Sequence, residues 1–336
     1  MAPRADRMQA IWYEEQGPAR DVLQLGETAR PVAEHGDVLI KIAASGVNPH
    51  DTKSRSGWTG RPMVHPRIIP HADGAGIIAG VGPGVDASSK GQRVWFFRAD
   101  RKPGYGAAAE YAVMAASHAI ALPDDVSFEV AAGIGVPALT AYAAVFTGSP
   151  VLGQTVFVQG GAGAVAGYAI QFARWNGARV IATVSSADKA VIAARFGADS
   201  VIDYRREDVV SRVMALTQGR GVDKIIEVDL GANLATDAEI VAPHAIIASY
   251  SSSRVREPTL PYYKLAPNDV TLRLVQGMIL TEECSSKAAC LVTELMRRNL
   301  LKHPETRVFD FTECAAAHEA VEAGVVGKVV VRSPNK

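Results

Sequence analysis

A glycine-rich run, Gln159-Gly160-Gly161-Ala162-Gly163-Ala164-Val165-Ala166, carries the clearest chemical signal in this 336-residue chain. It follows the apolar segment Val156-Phe157-Val158 and opens a stretch of helical period through Tyr168, Ile170, Gln171 and Ala173. From Gly161 it reads G-x-G-x-x-A, the pattern of a dinucleotide-binding turn. Glycine permits a tight turn and a close backbone approach, while the helix start offers unpaired N–H groups and a positive dipole end to a pyrophosphate. Ala166 has only to be small. Such a turn can also join a strand to a helix and bind nothing; the strand before it, the helix after it and the further strand–helix units favour a nucleotide.

The next strand bears on which dinucleotide. An NAD site presents Asp or Glu to the ribose about 20 residues on, at the tip of the second strand. Here Arg179 to Val184 runs into Ser185-Ser186-Ala187-Asp188-Lys189, with no acid at the tip. Ser185 can hydrogen-bond a 2′-phosphate, and Lys189 in the first turn of the next helix can supply a cation. Lys189 also reads as a solvated lysine, and Asp188 pointing inward would favour NAD. NADPH is the expected cofactor.

Around these residues the chain has two textures. The first third is punctuated by Gly and Pro and carries short β-type runs, among them Val38 to Ile42, Gly76 to Ala79 and Arg93 to Phe97. From about Pro123, Ala-rich helical stretches alternate with β-branched runs at 156–158, 180–184, 200–202 and 224–228. Alternation of this kind predicts a doubly wound parallel sheet. A helix is expected over about 286–299. The terminal run Gly327-Lys328-Val329-Val330-Val331 has nothing after it to pair with, so it must join the β-rich domain. The nucleotide domain would then be inserted into the other. The expected division is 1–130 with 281–336, and 131–280.

The 35 basic and 35 acidic residues cancel, which removes any electrostatic case for nucleic acid or an anionic membrane. The N-terminal MAPRADRMQAIWYEEQG lacks the apolar stretch of a signal peptide, and no segment is long and apolar enough to span a bilayer. A cytoplasmic protein with a small-molecule partner is expected. Cys284, Cys290 and Cys314 show no CxxC spacing, so neither a disulfide framework nor a zinc lobe is indicated.

Several of these segments together resemble the quinone oxidoreductase and zeta-crystallin branch of the medium-chain dehydrogenase/reductase superfamily. Ser45-Gly46-Val47-Asn48-Pro49-His50-Asp51 is similar to the family's GVNPxD segment, and Asp73-Gly74-Ala75-Gly76 with Val81-Gly82-Pro83-Gly84-Val85 to its DxAG and VGxGV pair. Leu122-Pro123-Asp124, Pro137 to Tyr142, Gly197-Ala198-Asp199 to Asp203-Tyr204, and Ala317-His318-Glu319-Ala320 to Val330 extend the likeness over nearly the whole chain. The resemblance implies a GroES-like β-rich catalytic domain, a Rossmann domain, a cleft between them and a homodimer. It places Gly161, Ala162, Gly163, Ala164 and Val165 at the pyrophosphate and Ser185, Lys189 and Tyr204 at the 2′-phosphate. Asn48 and Thr140 would lie near the nicotinamide, and Ser249 and Lys328 complete the expected cofactor set.

Alcohol-dehydrogenase relatives hold catalytic zinc through a Cys and a His where this chain has Asn48 and Ala72, and no cysteine precedes Cys284. His50 and His71 have no spaced partner set, and no metal is expected. Without a Lewis acid, alcohol oxidation loses its main route. An electron-poor quinone or enone accepts hydride when held at the right distance. Asn48 would hold a carbonyl oxygen or the carboxamide, or serve as a turn residue. Asp51 would orient that loop. Lys53, where many relatives have Tyr, either offsets substrate charge or faces solvent. Tyr262 and Tyr263 could stack on a flat quinone or pack elsewhere, and 271–275 resembles a dimer-forming edge strand. The expected activity is NADPH-dependent quinone reduction. Reduction of α,β-unsaturated carbonyls or enoyl thioesters, and a non-catalytic crystallin-like nucleotide binder, are the alternatives.

Overall fold

The computed structural model describes residues 7–101, 104–146, 148 and 150–334, so the first six residues of the N-terminal segment lie outside it. The chain folds as two compact units. One comprises Met1–Val136, Ala289–Leu300 and Glu305–Lys336, the other Pro137–Ala288 and Leu301–Pro304.

The first unit is built on a seven-stranded sheet, with six strands along one path and the seventh paired off it to a strand of that path. Asp37–Val47, long and almost wholly buried, pairs antiparallel with both Asp73–Val81 and Tyr111–Ala115. The terminal strand Lys328–Arg332 adds antiparallel to Asp37–Val47, with Val329 opposite Val47 and Val331 opposite Ser45. The unpaired run at the end of the sequence thus finds its sheet in the β-rich unit. Two apolar clusters fill this unit. One gathers Met8, Val47, Phe311, Cys314 and Val331, and the other Val38, Ile40, Val94, Phe96 and Met114.

The second unit holds a six-stranded parallel sheet, whose strands we number β1 (Thr155–Val158), β2 (Arg179–Val184), β3 (Ser200–Asp203), β4 (Val222–Glu227), β5 (Val241–Ser249) and β6 (Thr271–Leu274). Their spatial order is β3-β2-β1-β4-β5-β6, the arrangement of a Rossmann domain, with β1 at the centre where the chain reverses direction. The central strands are buried on both faces, which is why they read as continuous apolar runs rather than alternating ones. Helix α1 (Ala164–Trp175) follows β1, and α2 (Ala187–Phe196) follows β2. No helix among the described residues is long and apolar enough to cross a membrane.

Candidate active site

In the Rossmann unit the turn after β1 divides its work among three glycines. Gly160, not Gly161, takes the left-handed conformation, with φ 67°. A side chain there would be strained, although an added Cβ would stand 3.4 Å from Val228. Gly161 is needed for packing instead: its Cβ would fall 2.9 Å from that of Ala182 and 3.1 Å from that of Ala193. Gly163 is the N-cap of α1 and brings no side chain to cap the first N–H groups. Those groups of Ala164, Val165 and Ala166 head a 12-residue helix whose dipole favours an anion. Ala162 is buried and Gly163 exposed at the turn. At the next turn of α1, Gly167 lets Phe196 of α2 approach, since a Cβ would sit 2.7 Å from its ring.

The tip of β2 gathers the residues expected at the adenosine end. Lys189 Nζ donates to Ser185 Oγ at 2.9 Å, and Tyr204 N–H donates to Val184 C=O at 3.0 Å. Ser186 caps α2, while Asp188 is exposed in its first turn. The strand tip therefore presents a hydroxyl and a cation. Ser249 ends β5 and donates to Ser251 C=O at 3.0 Å. Thr140 is packed against Gly277, where a Cβ would meet its Oγ1 at 2.2 Å. Tyr262 and Tyr263 form an edge-to-face pair, and both are exposed.

Beneath the phosphate turn lies a buried polar chain that no motif marks. Gly160 N–H donates to Thr183 Oγ1, Thr183 donates to Gln159 Oε1 at 2.8 Å, and Gln159 donates to Asp237 Oδ1 at 3.1 Å. Asp237 faces Glu227, and both are fully buried. Burial, and for Asp237 the neighbouring Glu227, push these carboxyls upward. Asp237 Oδ2 and Glu227 Oε2 are buried without a hydrogen-bond partner among the described residues, a setting that disfavours two charged carboxylates side by side. Their only signal along the chain is two acids ten positions apart in an apolar context.

In the β-rich unit, Asn48 is the N-cap of the helix Pro49–Arg55. Its backbone N–H donates to Asp51 Oδ2 at 2.8 Å, so Asp51 orients this loop. The Asn48 amide is itself engaged at both ends. Its Nδ2 donates to Asp73 Oδ1 at 2.7 Å, and its Oδ1 accepts from Lys328 Nζ. Lys328 Nζ also lies 3.8 Å from Asp73 Oδ2. The fold thus joins Asn48 and Lys328 to Asp73, with Asp51 held to the same group by the Asn48 N–H. Burial pushes the Asp51 carboxyl up to about 7, reinforced by the Asp73 charge. Burial also drives Asp73 upward and Lys328 downward, against their mutual attraction. Lys53 is separate from this group: its ammonium stands 4.6 Å from the Trp58 ring centroid, a cation–π contact.

The fold gives His71 neighbours that spacing along the sequence does not show. His71 Nε2 lies 3.1 Å from His318 Nε2, and Cys314 Sγ lies 3.9 Å from His71 Nε2.

Known proteins share this architecture. Residues 34–124 match the alcohol dehydrogenase GroES-like domain and residues 164–294 the zinc-binding dehydrogenase domain. The chain is thus a medium-chain dehydrogenase/reductase. Human quinone oxidoreductase is 31% identical over 323 residues, covering 95% of each chain. A mycobacterial protein solved in complex with NADPH is 31% identical, with a TM-score of 0.85 over 97% of this chain and 99% of that one. A quinone oxidoreductase of Pseudomonas syringae is 26% identical, with a TM-score of 0.85 over the same shares. Within its class, this chain belongs to the quinone oxidoreductase family.

Proposed function

We propose that this protein is an NADPH-dependent quinone reductase. The observation that carries the cofactor assignment is the pairing of Ser185 with Lys189 at the tip of β2, where an NAD site would present an acid. The cofactor fits the residues present. Three glycines in the turn 160–163 leave room for a pyrophosphate, and the uncapped start of α1 supplies its N–H donors. Gly161, Ala162, Gly163, Ala164 and Val165 would hold the pyrophosphate; Ser185, Lys189 and Tyr204 would hold the 2′-phosphate. Thr140 and Ser249 belong to the same set. When bound, NADPH supplies the hydride.

The chain's own contribution is to position and to exclude water. Asn48 and Lys328 act in this reading through the buried Asp73 network, fixing the loop that begins the helix Pro49–Arg55. Asp51 fixes the same loop from within the helix. Lys53 offsets negative charge that develops on a reduced acceptor. A quinone is the acceptor named for the relatives at 31% and 26% identity, and it needs no Lewis acid to receive a hydride.

The same reading makes the protein a cytoplasmic homodimer. Its cysteines are free thiols, the state kept by a reducing compartment. Strand β6 is the edge of the parallel sheet, and Leu272 and Leu274 are exposed on it. The two domains would follow the boundaries 1–130 with 281–336 and 131–280.

Rates of NADPH and NADH oxidation with naphthoquinones and enals, measured side by side, test the assignment. Turnover that is faster with the quinones and a lower KM for NADPH than for NADH are expected. Preference for NADH, or turnover confined to enals, would overturn it.

A further inference from the structure

His71, Cys314 and His318 converge from distant parts of the sequence on one point inside the β-rich unit. Cys314 and His318 are four residues apart on the helix Cys314–Glu322 and so share one face of it. His71 immediately precedes Ala72 and the strand Asp73–Val81. Its backbone is left-handed, with φ 75°, a conformation that residues other than glycine rarely take. That geometry carries its ring across to His318, with centroids 5.2 Å apart. One donor atom from each of the three residues lies within 4.8 Å of the others. All three side chains are buried, at 0%, 2% and 0% exposure in sequence order.

We propose that these three residues form a binding site for a soft monovalent metal ion, copper(I). The donor set is one thiol sulfur and two imidazole nitrogens, which suits copper(I) or zinc. Two nitrogens each about 2.0–2.1 Å from one ion lie roughly 3.3–3.6 Å apart, close to the 3.1 Å between the two Nε2 atoms. The number of donors decides between the ions. A closed structural zinc takes four protein ligands, and a zinc on three keeps a water in its fourth position; among the described residues this cluster offers three donors, all of them buried.

Charge points the same way. Cys314 packs among Val47, Phe311, Ala317 and Val331, and the nearby Asp51 and Arg55 act on it with opposite sign, so added net charge in this buried setting is costly. One thiolate with one monovalent cation is neutral, whereas a divalent ion would leave a positive charge uncompensated. Both imidazoles are held neutral by burial, and binding moves the proton of the Nε2–Nε2 hydrogen bond to Nδ1 of the donor ring, so that each Nε2 turns a lone pair to the ion. Burial keeps Cys314 a thiol, so binding forms the sulfur–metal bond and releases one proton to solvent. Ser45 Oγ stands 2.8 Å from His71 Nδ1. It would orient the ring as outer partners of metal-bound histidines do.

The site differs in position from the zinc site of the alcohol-dehydrogenase relatives, which uses the positions of Asn48 and Ala72. It is also independent of the cofactor assignment.

The test uses the full chain carrying Cys284→Ser and Cys290→Ser, which removes the other two thiols. Protein is purified anaerobically from cells grown with added copper, and its metal is counted by mass spectrometry. One equivalent of copper is expected, with an X-ray absorption spectrum showing one sulfur and two nitrogen neighbours. Cys314→Ala and His318→Ala should lose it. Ser45→Ala leaves all three ligands in place and should weaken binding by about ten- to a hundredfold against a competing copper(I) chelator. Absence of copper, its retention in Cys314→Ala, or occupancy by zinc in its place would overturn the proposal. So would an unchanged affinity in Ser45→Ala should the ligand variants fail to fold.

Discussion

The Lys189 ammonium donates to the Ser185 hydroxyl at 2.9 Å, so the tip of β2 carries a cation beside a hydroxyl. Ser185→Asp would place a carboxylate within ion-pair reach of that lysine. It would neutralise the cation and repel a 2′-phosphate. A charged hydrogen bond contributes about 1.5–3 kcal/mol, so KM for NADPH should rise roughly 10- to 100-fold, with NADH gaining by comparison. Steady-state kinetics with both cofactors check this. An unchanged NADPH:NADH ratio would place the 2′-phosphate elsewhere.

Two glycines near the phosphate turn should fail for different reasons. Gly160→Ala has space, but the left-handed φ of 67° costs an alanine about 1–2 kcal/mol. Relief of that strain would move the turn, so cofactor affinity should fall together with stability. Gly167→Ala instead presses on the Phe196 ring inside the α1–α2 contact. It should cost about 1–3 kcal/mol of stability with the turn left in place. Urea unfolding midpoints paired with NADPH titration separate the two patterns.

What the amino-acid sequence discloses follows from locality. Buried parallel strands appear as β-branched runs, which makes β1 to β4 legible in the residues themselves. Strand β5 is not, because Pro243 and His244 interrupt it and His244 takes a left-handed φ of 62°. The helix expected over 286–299 begins earlier, as Glu282–Arg297, because polar residues in its first turn mask its period. At the site, neighbours in sequence are readable: Ser185 with Lys189, and Asn48 with Asp51. Neighbours only in space are not. His318 stands 247 positions from His71, and nothing in either segment points to the other. The bond between the Lys328 ammonium and Asn48 is likewise not readable, because which way a terminal-strand side chain turns depends on the strand's register against Val47.

Asp51 makes stability depend on pH with a definite sign. Its carboxyl is raised from 3.8 to about 7 in the folded protein, chiefly by burial and then by Asp73. Its proton therefore stabilises the fold fully below pH 4, and that contribution is lost as pH rises through about 7. Asp51→Asn keeps an oxygen to accept the Asn48 N–H and has no proton to lose. Relative to the wild type, the variant should gain stability between pH 4 and 7, by up to roughly 4 kcal/mol, and the gain should level off above that range. Thermal melts across pH 4 to 9 measure it. A difference that is flat with pH would mean that Asp51 is ionised throughout.

Lys328 and Asp73 make a stringent pair because neither has solvent to fall back on. Their side chains are 5% and 0% exposed, and the ammonium lies 3.8 Å from Asp73 Oδ2. Lys328→Met preserves the stem's packing while leaving the carboxylate without a cation. Breaking a buried pair from one side costs about 3–5 kcal/mol. Adding Asp73→Asn removes the stranded charge and should recover part of the loss. Recovery stays incomplete because Asp73 accepts from both Val136 N–H and Asn48 Nδ2, and one of those acceptors becomes an NH2 group. A double-mutant cycle from urea unfolding at pH 7 reads the coupling directly. If the double variant is no more stable than Lys328→Met alone, Asp73 is held by its hydrogen bonds and not by the lysine.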